Sequence, residues 1–189
     1  MTDLLFDERK RALEEEHFRK LNAALIDHMR QERREAAESA RLLGATGIAD
    51  PILLDELVHF GFTPETLPAL SVVPLLEVAW TDGKVDDYER RAIHADRALA
   101  EMDPAGPSAA MVYGWLVDRP AGGVFRLWWE LTHAAARGLA AEERAAVEAD
   151  MLARATAVAR ASGGFLGIGS PTSSEEHVTL ERIKAAYAA

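Results

Sequence analysis

The chain predicts an all-α protein, and three observations carry that expectation. Ala, Leu, Glu and Arg dominate while runs of alternating β-branched residues are nearly absent, a composition that favours helix. Proline and glycine fall mostly as punctuation between segments of helical length. Helix-start signatures recur, with Ser, Thr or Asp followed by Pro or by Glu three residues on. At 189 residues the chain is one domain of ordinary size with an appendage, long enough to bury a core. The expected architecture is a compact multi-helix bundle with a long, partly exposed N-terminal helix.

From Asp3 to about Leu43 the sequence reads as one charged helix with a narrow seam at Phe18, Leu21, Leu25 and Met29. Past Met29 it runs RQERREAAESA, almost without large apolar residues. A helix this polar cannot be buried along its whole length, so it is expected to project from the body or to pack through part of one face. The chain then divides into an arm, 1–43, and a helical domain, 44–189. Asp50-Pro51 opens a short helix with an N-cap and a first-turn proline, and Gly61 closes it. Thr63-Pro64 is expected to open the next in the same way, and Pro74 to begin or kink the apolar segment PLLEVAW. Asp86 with Glu89 forms a capping-box start for a helix predicted to reach about Met102, ended by Asp103-Pro104. Ser108 is expected to cap SAAMVYGWLVDR, which the Pro120 to Gly123 break ends. VFRLWWELTHAAARGL and EERAAVEADMLARATAVARAS follow as two longer helices, and Ser173 with Glu176 caps a last one through Tyr187. The intervening GGFLGIG lacks the order and the lysine of a phosphate loop and reads as a bend between helices.

Composition excludes several classes. A net charge of −10 leaves no basic footprint for nucleic acid or anionic lipid. Cysteine is absent, which removes disulfides, thiol nucleophiles and cysteine-ligated zinc. The start is acidic and lacks a long apolar stretch, and the apolar run from Leu67 to Ala79 is too short to span a bilayer. The expectation is a cytoplasmic protein without membrane insertion.

No HExxH motif, nucleophile elbow or Walker sequence occurs, so the chain reads as non-enzymatic. One alternative of another class survives. Glu14/His17, Glu56/His59 and Glu130/His133 each put a carboxylate and an imidazole on one helical face, and paired motifs of this kind build di-iron sites in helical bundles.

The stretch WTDGKVDDYE, Trp80 to Glu89, places four acids and a glycine directly after the most apolar run. Aligned on a calcium loop, Asp82, Gly83, Val85 and Glu89 take positions five, six, eight and twelve, but Val78 and Trp80 would stand at one and three and cannot ligate a hard cation. Two readings remain open. Gly83 makes a turn while Asp86 and Glu89 cap the next helix, or the acids hold part of a cation site completed by Glu77 or a remote carboxylate.

VPLLEVAWTDGKVDDYERRAI resembles the first signature of the tellurite-resistance TerB-like family: an apolar helix, Asp-Gly-x-Val, then an acid-capped helix. ASGGFLGIGSPTSSEEHVTLERIKAAY is similar to that family's C-terminal turn and helix, so the likeness covers about 50–189. It implies a compact helical bundle in a stress-associated system, with Asp82, Asp86 and Glu89 as ligands of a divalent cation.

A second likeness lies in the arm. FDERKRALEEEHFRK, Phe6 to Lys20, resembles without gaps the inhibitory segment of the mitochondrial ATP synthase inhibitor protein. Phe6, Arg9, Ala12, Glu14, Glu15, Phe18 and Arg19 fit, whereas Lys10 reverses a charge and His17 replaces a tyrosine. The likeness implies a helix that inserts into a rotary ATP synthase and blocks hydrolysis, with Glu14 pairing an arginine and Phe18 anchoring in an apolar pocket. The partner-binding set is then Phe6, Arg9, Glu14, Glu15, His17, Phe18, Leu21 and Leu25. A solvated helix docked on its own domain or on a second copy, as in a homodimer, is the alternative.

Overall fold

Helix α3, Val73–Ala79, is the axis of the body because its sequence is apolar on every side except at Glu77. A computed structural model of the chain describes the backbone of residues 2–163 and 173–188, and the side chains of 16–161 and 173–188. Among the described residues every regular element is helical. Around α3 pack α4 (Asp87–His94), α7 (Gly123–Ala136), α8 (Ala141–Gly163) and α9 (Ser174–Ala185). Helix α8 turns Met151, Ala155, Val158 and Ala159 to the core, and its alanines let neighbouring backbones come close. At the end of α3, Trp80 donates its indole N–H to the Trp115 carbonyl at 2.8 Å, tying in α6 (Pro107–Trp115).

Helix α1 runs Thr2–Thr46 and touches the body through α2, Pro51–His59. Asp50 caps α2 by accepting the Ile52 N–H at 2.9 Å, and Gly61, at φ 78°, turns the chain out of it. The root of α1 is part of the core, since Leu42 is fully buried. The 43/44 boundary falls inside this helix, and every residue from 16 to 37 is exposed.

Three expected helix bounds need correction. Thr63-Pro64 opens a turn rather than a helix, and a 3-10 segment, Leu67–Val72, follows. Pro64, Pro68 and Pro74 remove backbone donors too often for an α-helix to propagate. The helix begun at Asp86 stops at His94 instead of Met102, because Asp96 caps a separate turn, α5 (Arg97–Ala100), through the Ala98 N–H at 3.0 Å. Ser108 is not a cap. Pro107 already sets the first helical turn of α6, and the buried Ser108 hydroxyl donates to the Glu65 carbonyl at 2.6 Å.

Asp96 does more than cap. Its carboxylate receives Nε and Nη2 of Arg154 on α8, each at 2.8 Å, and Arg154 also reaches the Ser71 carbonyl at 3.0 Å. With only 13% of Arg154 and 6% of Asp96 exposed, this pair locks the 3-10 segment, α5 and α8 together. The GGFLGIG bend lies outside the described residues.

Candidate functional site

The Trp80–Glu89 stretch is a connector between two helices. The Gly83 N–H closes a turn onto the Trp80 carbonyl at 3.0 Å, with Gly83 at φ 89°, a region that favours glycine. Asp82 accepts the Lys84 N–H at 3.2 Å. Asp86 Oδ1 accepts the Tyr88 and Glu89 N–H groups at 2.7 and 2.9 Å, and Glu89 Oε2 accepts the Asp86 N–H at 2.9 Å. This is the complete capping box that the spacing predicts. A second box opens α9, where Glu176 accepts the Ser173 N–H at 2.6 Å and the Ser173 hydroxyl accepts the Glu176 N–H at 3.1 Å.

Glu89 is only 4% exposed. Burial pushes its carboxyl up to about 7, against the pull of the Asp86 N–H, and the Asp86, Asp82 and Glu176 carboxylates add to the rise. Asp82, Asp86 and Glu89 thus share one connector, and the charge of Glu176, from a part of the sequence far away, is felt at Glu89. Their free oxygens are few, because Asp86 and Glu89 serve as caps. Among the described residues no group of three or more His, Asp or Glu side chains is placed to hold a metal ion.

The Glu-x-x-His pairs do not converge as a ligand shell either. Arg126 on α7 stands between Glu56 and Glu130, with Nη2 at 2.8 Å from the first and Nη1 at 3.0 Å from the second. A guanidinium occupies the place between the two carboxylates that a cation would need. His59 is exposed and His133 stacks on Trp129 with ring centroids 4.9 Å apart. His17 lies far out on the arm.

On α1 the structure brings the expected seam onto one stripe. Phe18 is 63% exposed, and Leu21, Leu25, Ile26 and Met29 are exposed beside it. His17 is exposed next to Phe18 with ring centroids 6.3 Å apart. Phe6, Arg9, Glu14 and Glu15 lie on the same helix, and their side chains are outside the described residues.

Two features escaped sequence reasoning. The first is the setting of Glu77, the candidate to complete a cation site, which instead faces both Arg119 and Arg182 at 3.7 and 3.6 Å. A cleft of about 650 Å³ also opens where α1 leaves α2. Ala36, Ile52 and Val58 give it apolar walls, Glu32, Glu35 and Asp55 make it acidic, and Glu56, already paired to Arg126, completes it, with no lysine or arginine among its lining residues. Glu56 Oε2 is buried there without a hydrogen-bond partner. Nothing local in the sequence announces a cleft built from residues on two helices.

No family model, curated protein or solved structure matches the chain.

Proposed function

We propose that this is a non-enzymatic binding protein in which a TerB-like helical body carries α1 as its docking element for a protein partner. The observation that supports the reading is the seam itself. Five large apolar side chains, Phe18 to Met29, stand exposed along one stretch of a helix on which every residue from 16 to 37 is exposed. An amphipathic helix presenting apolar anchors at this spacing is the form that groove and helix partners recognise. The connector of Asp82, Asp86 and Glu89 supports the cation alternative less well, since two of its three carboxylates already terminate a helix.

A photo-cross-linking residue at Leu21 tests the reading in cells, with the same residue at Val147, exposed on α8, as the control. Leu21 is expected to capture a defined protein and Val147 none. Absence of any product from Leu21 counts against the reading. The resemblance of Phe6 to Lys20 makes the rotary ATP synthase the first partner to test. ATP hydrolysis by that enzyme should fall as intact protein is titrated in, and Phe18→Ser with Leu25→Ser should remove the effect.

A further inference from the structure

We infer that the partner of the α1 seam is a second copy of this chain, with the two α1 helices lying antiparallel about a two-fold axis near Ala23 and Ala24. The inference rests on the docking reading above and identifies its partner. Two observations carry it.

The first is the seam. Phe18 and Met29 sit at its ends, eleven residues apart, a spacing that keeps both on one side of a nearly straight helix. A two-fold axis midway between them sets Phe18 of one copy against Met29 of the other and Leu21 against Ile26. The exposed stripe thereby covers itself. The exposed stretch, 16–37, is roughly 30 Å long, and its local side-chain pairs contribute only tenths of a kcal/mol each, so covering the apolar stripe is what a partner adds.

The second is charge, and it selects the orientation. Arg9, Lys10 and Arg11 form a basic run near the start of α1. The same two-fold axis that pairs Phe18 with Met29 carries Lys10 and Arg11 to the level of Ala36 and Ala37 of the other copy. That is the level of the acidic cleft, where Glu32, Glu35 and Asp55 flank the 69%-exposed Ile52 and no cation lines the walls. Each copy has one basic run and one acidic cleft, so an antiparallel pair matches both twice. A parallel pair would set basic run beside basic run and cleft beside cleft, a like-charge arrangement at both ends. The match is isologous, as a closed dimer requires.

The chain has no cysteine, so engineered thiols report pairing without background. A chain carrying Phe18→Cys is mixed with one carrying Met29→Cys and mildly oxidised. The antiparallel register predicts a disulfide between the two chains. It predicts none within either chain's own population, because identical positions are then about 16 Å apart along the axis, beyond disulfide reach. A self-cross-link of Phe18→Cys would mean a parallel pair and overturn the inference. So would the absence of a product from the mixture.

Charge reversal gives an independent test. Lys10→Glu with Arg11→Glu should weaken dimerisation about tenfold in sedimentation equilibrium, as should Glu32→Lys with Glu35→Lys. An equimolar mixture of the two variants should regain the lost affinity, since the reversed run of one chain then meets the reversed cleft of the other and the unchanged run meets the unchanged cleft. A mixture no tighter than either variant alone overturns the inference. Failure here and failure of the docking reading look different. A monomeric chain whose Leu21 still captures a different protein removes only the second copy, whereas a Leu21 that captures nothing removes both.

Discussion

The body and the free half of α1 are made of the same structure and held by different forces. In the body, side chains from distant segments converge on α3, and Leu57, Phe62, Leu76, Ile93, Leu127 and Ile183 are fully buried. Along residues 16–37 no side chain is buried, and the described contacts are local ones between neighbours on the helix. Lys20 pairs with Glu16 at 2.7 Å, Arg30 with Asp27 at 3.2 Å, and Gln31 donates to Glu35 at 2.8 Å. Pairs of this kind contribute a few tenths of a kcal/mol each. The body is therefore sensitive to single changes that the arm should tolerate, and what the arm offers is a surface.

Removing one carboxylate from each region puts the difference to its most severe test. Asp96→Ala leaves Arg154 charged and buried without its partner and uncaps α5, so a loss of about 3–5 kcal/mol is expected. That corresponds to a melting temperature lower by roughly 10 °C in circular dichroism. Asp27→Ala removes a fully solvated pair and should cost under about 0.5 kcal/mol. Similar losses for the two would mean that α1 is integrated with the body along its whole length.

How far such differences could be read from sequence depends on their range. Both capping boxes were legible, because Asp86 with Glu89 and Ser173 with Glu176 act within one helical turn. The exposure of the arm was legible from its polarity, and the all-α class from composition. The break at Asp96 was not, since an aspartate within a helical pattern gains its meaning from Arg154, 58 positions away. Arg126 between Glu56 and Glu130 was missed for the same reason. The spacing rule found the two glutamates, and only the packing of α2 on α7 shows what lies between them. The acidic cleft also depends on where α1 leaves α2, which no local pattern encodes.

Glu89 gives a second, smaller effect, confined to the body. Its folded carboxyl titrates at about 7, above the model-peptide value near 4.5, so folding favours the protonated form. Stability from this group is then fully present below pH 4.5. It falls as the pH rises through the window up to about 7, where the folded protein finally ionises, and it is level above that. The full swing is on the order of 3 kcal/mol. Glu89→Gln keeps an oxygen for the Asp86 N–H but cannot ionise. Relative to the parent, the variant should gain stability between pH 4.5 and 7 in denaturant titrations and then hold that gain. A difference that stays flat with pH would show that Glu89 is better solvated than its burial implies.

The smallest expected effect bears most directly on what the arm is for. Phe18→Ser with Leu25→Ser changes two solvated side chains and should leave the stability of an isolated copy within about 0.5 kcal/mol of the parent. Were these residues packed on the body, the loss would be several times larger. The two cases separate further with concentration. If the seam is satisfied by a second copy, the parent's melting temperature should rise with protein concentration, because association draws on the folded form. The double variant should melt at one temperature throughout, matching the parent at its most dilute. A parent insensitive to dilution, with a variant equal to it everywhere, would leave the stripe without a self-partner. Its five exposed apolar side chains would then have to be covered by another protein, because a stripe of this kind left bare in solution favours nonspecific association.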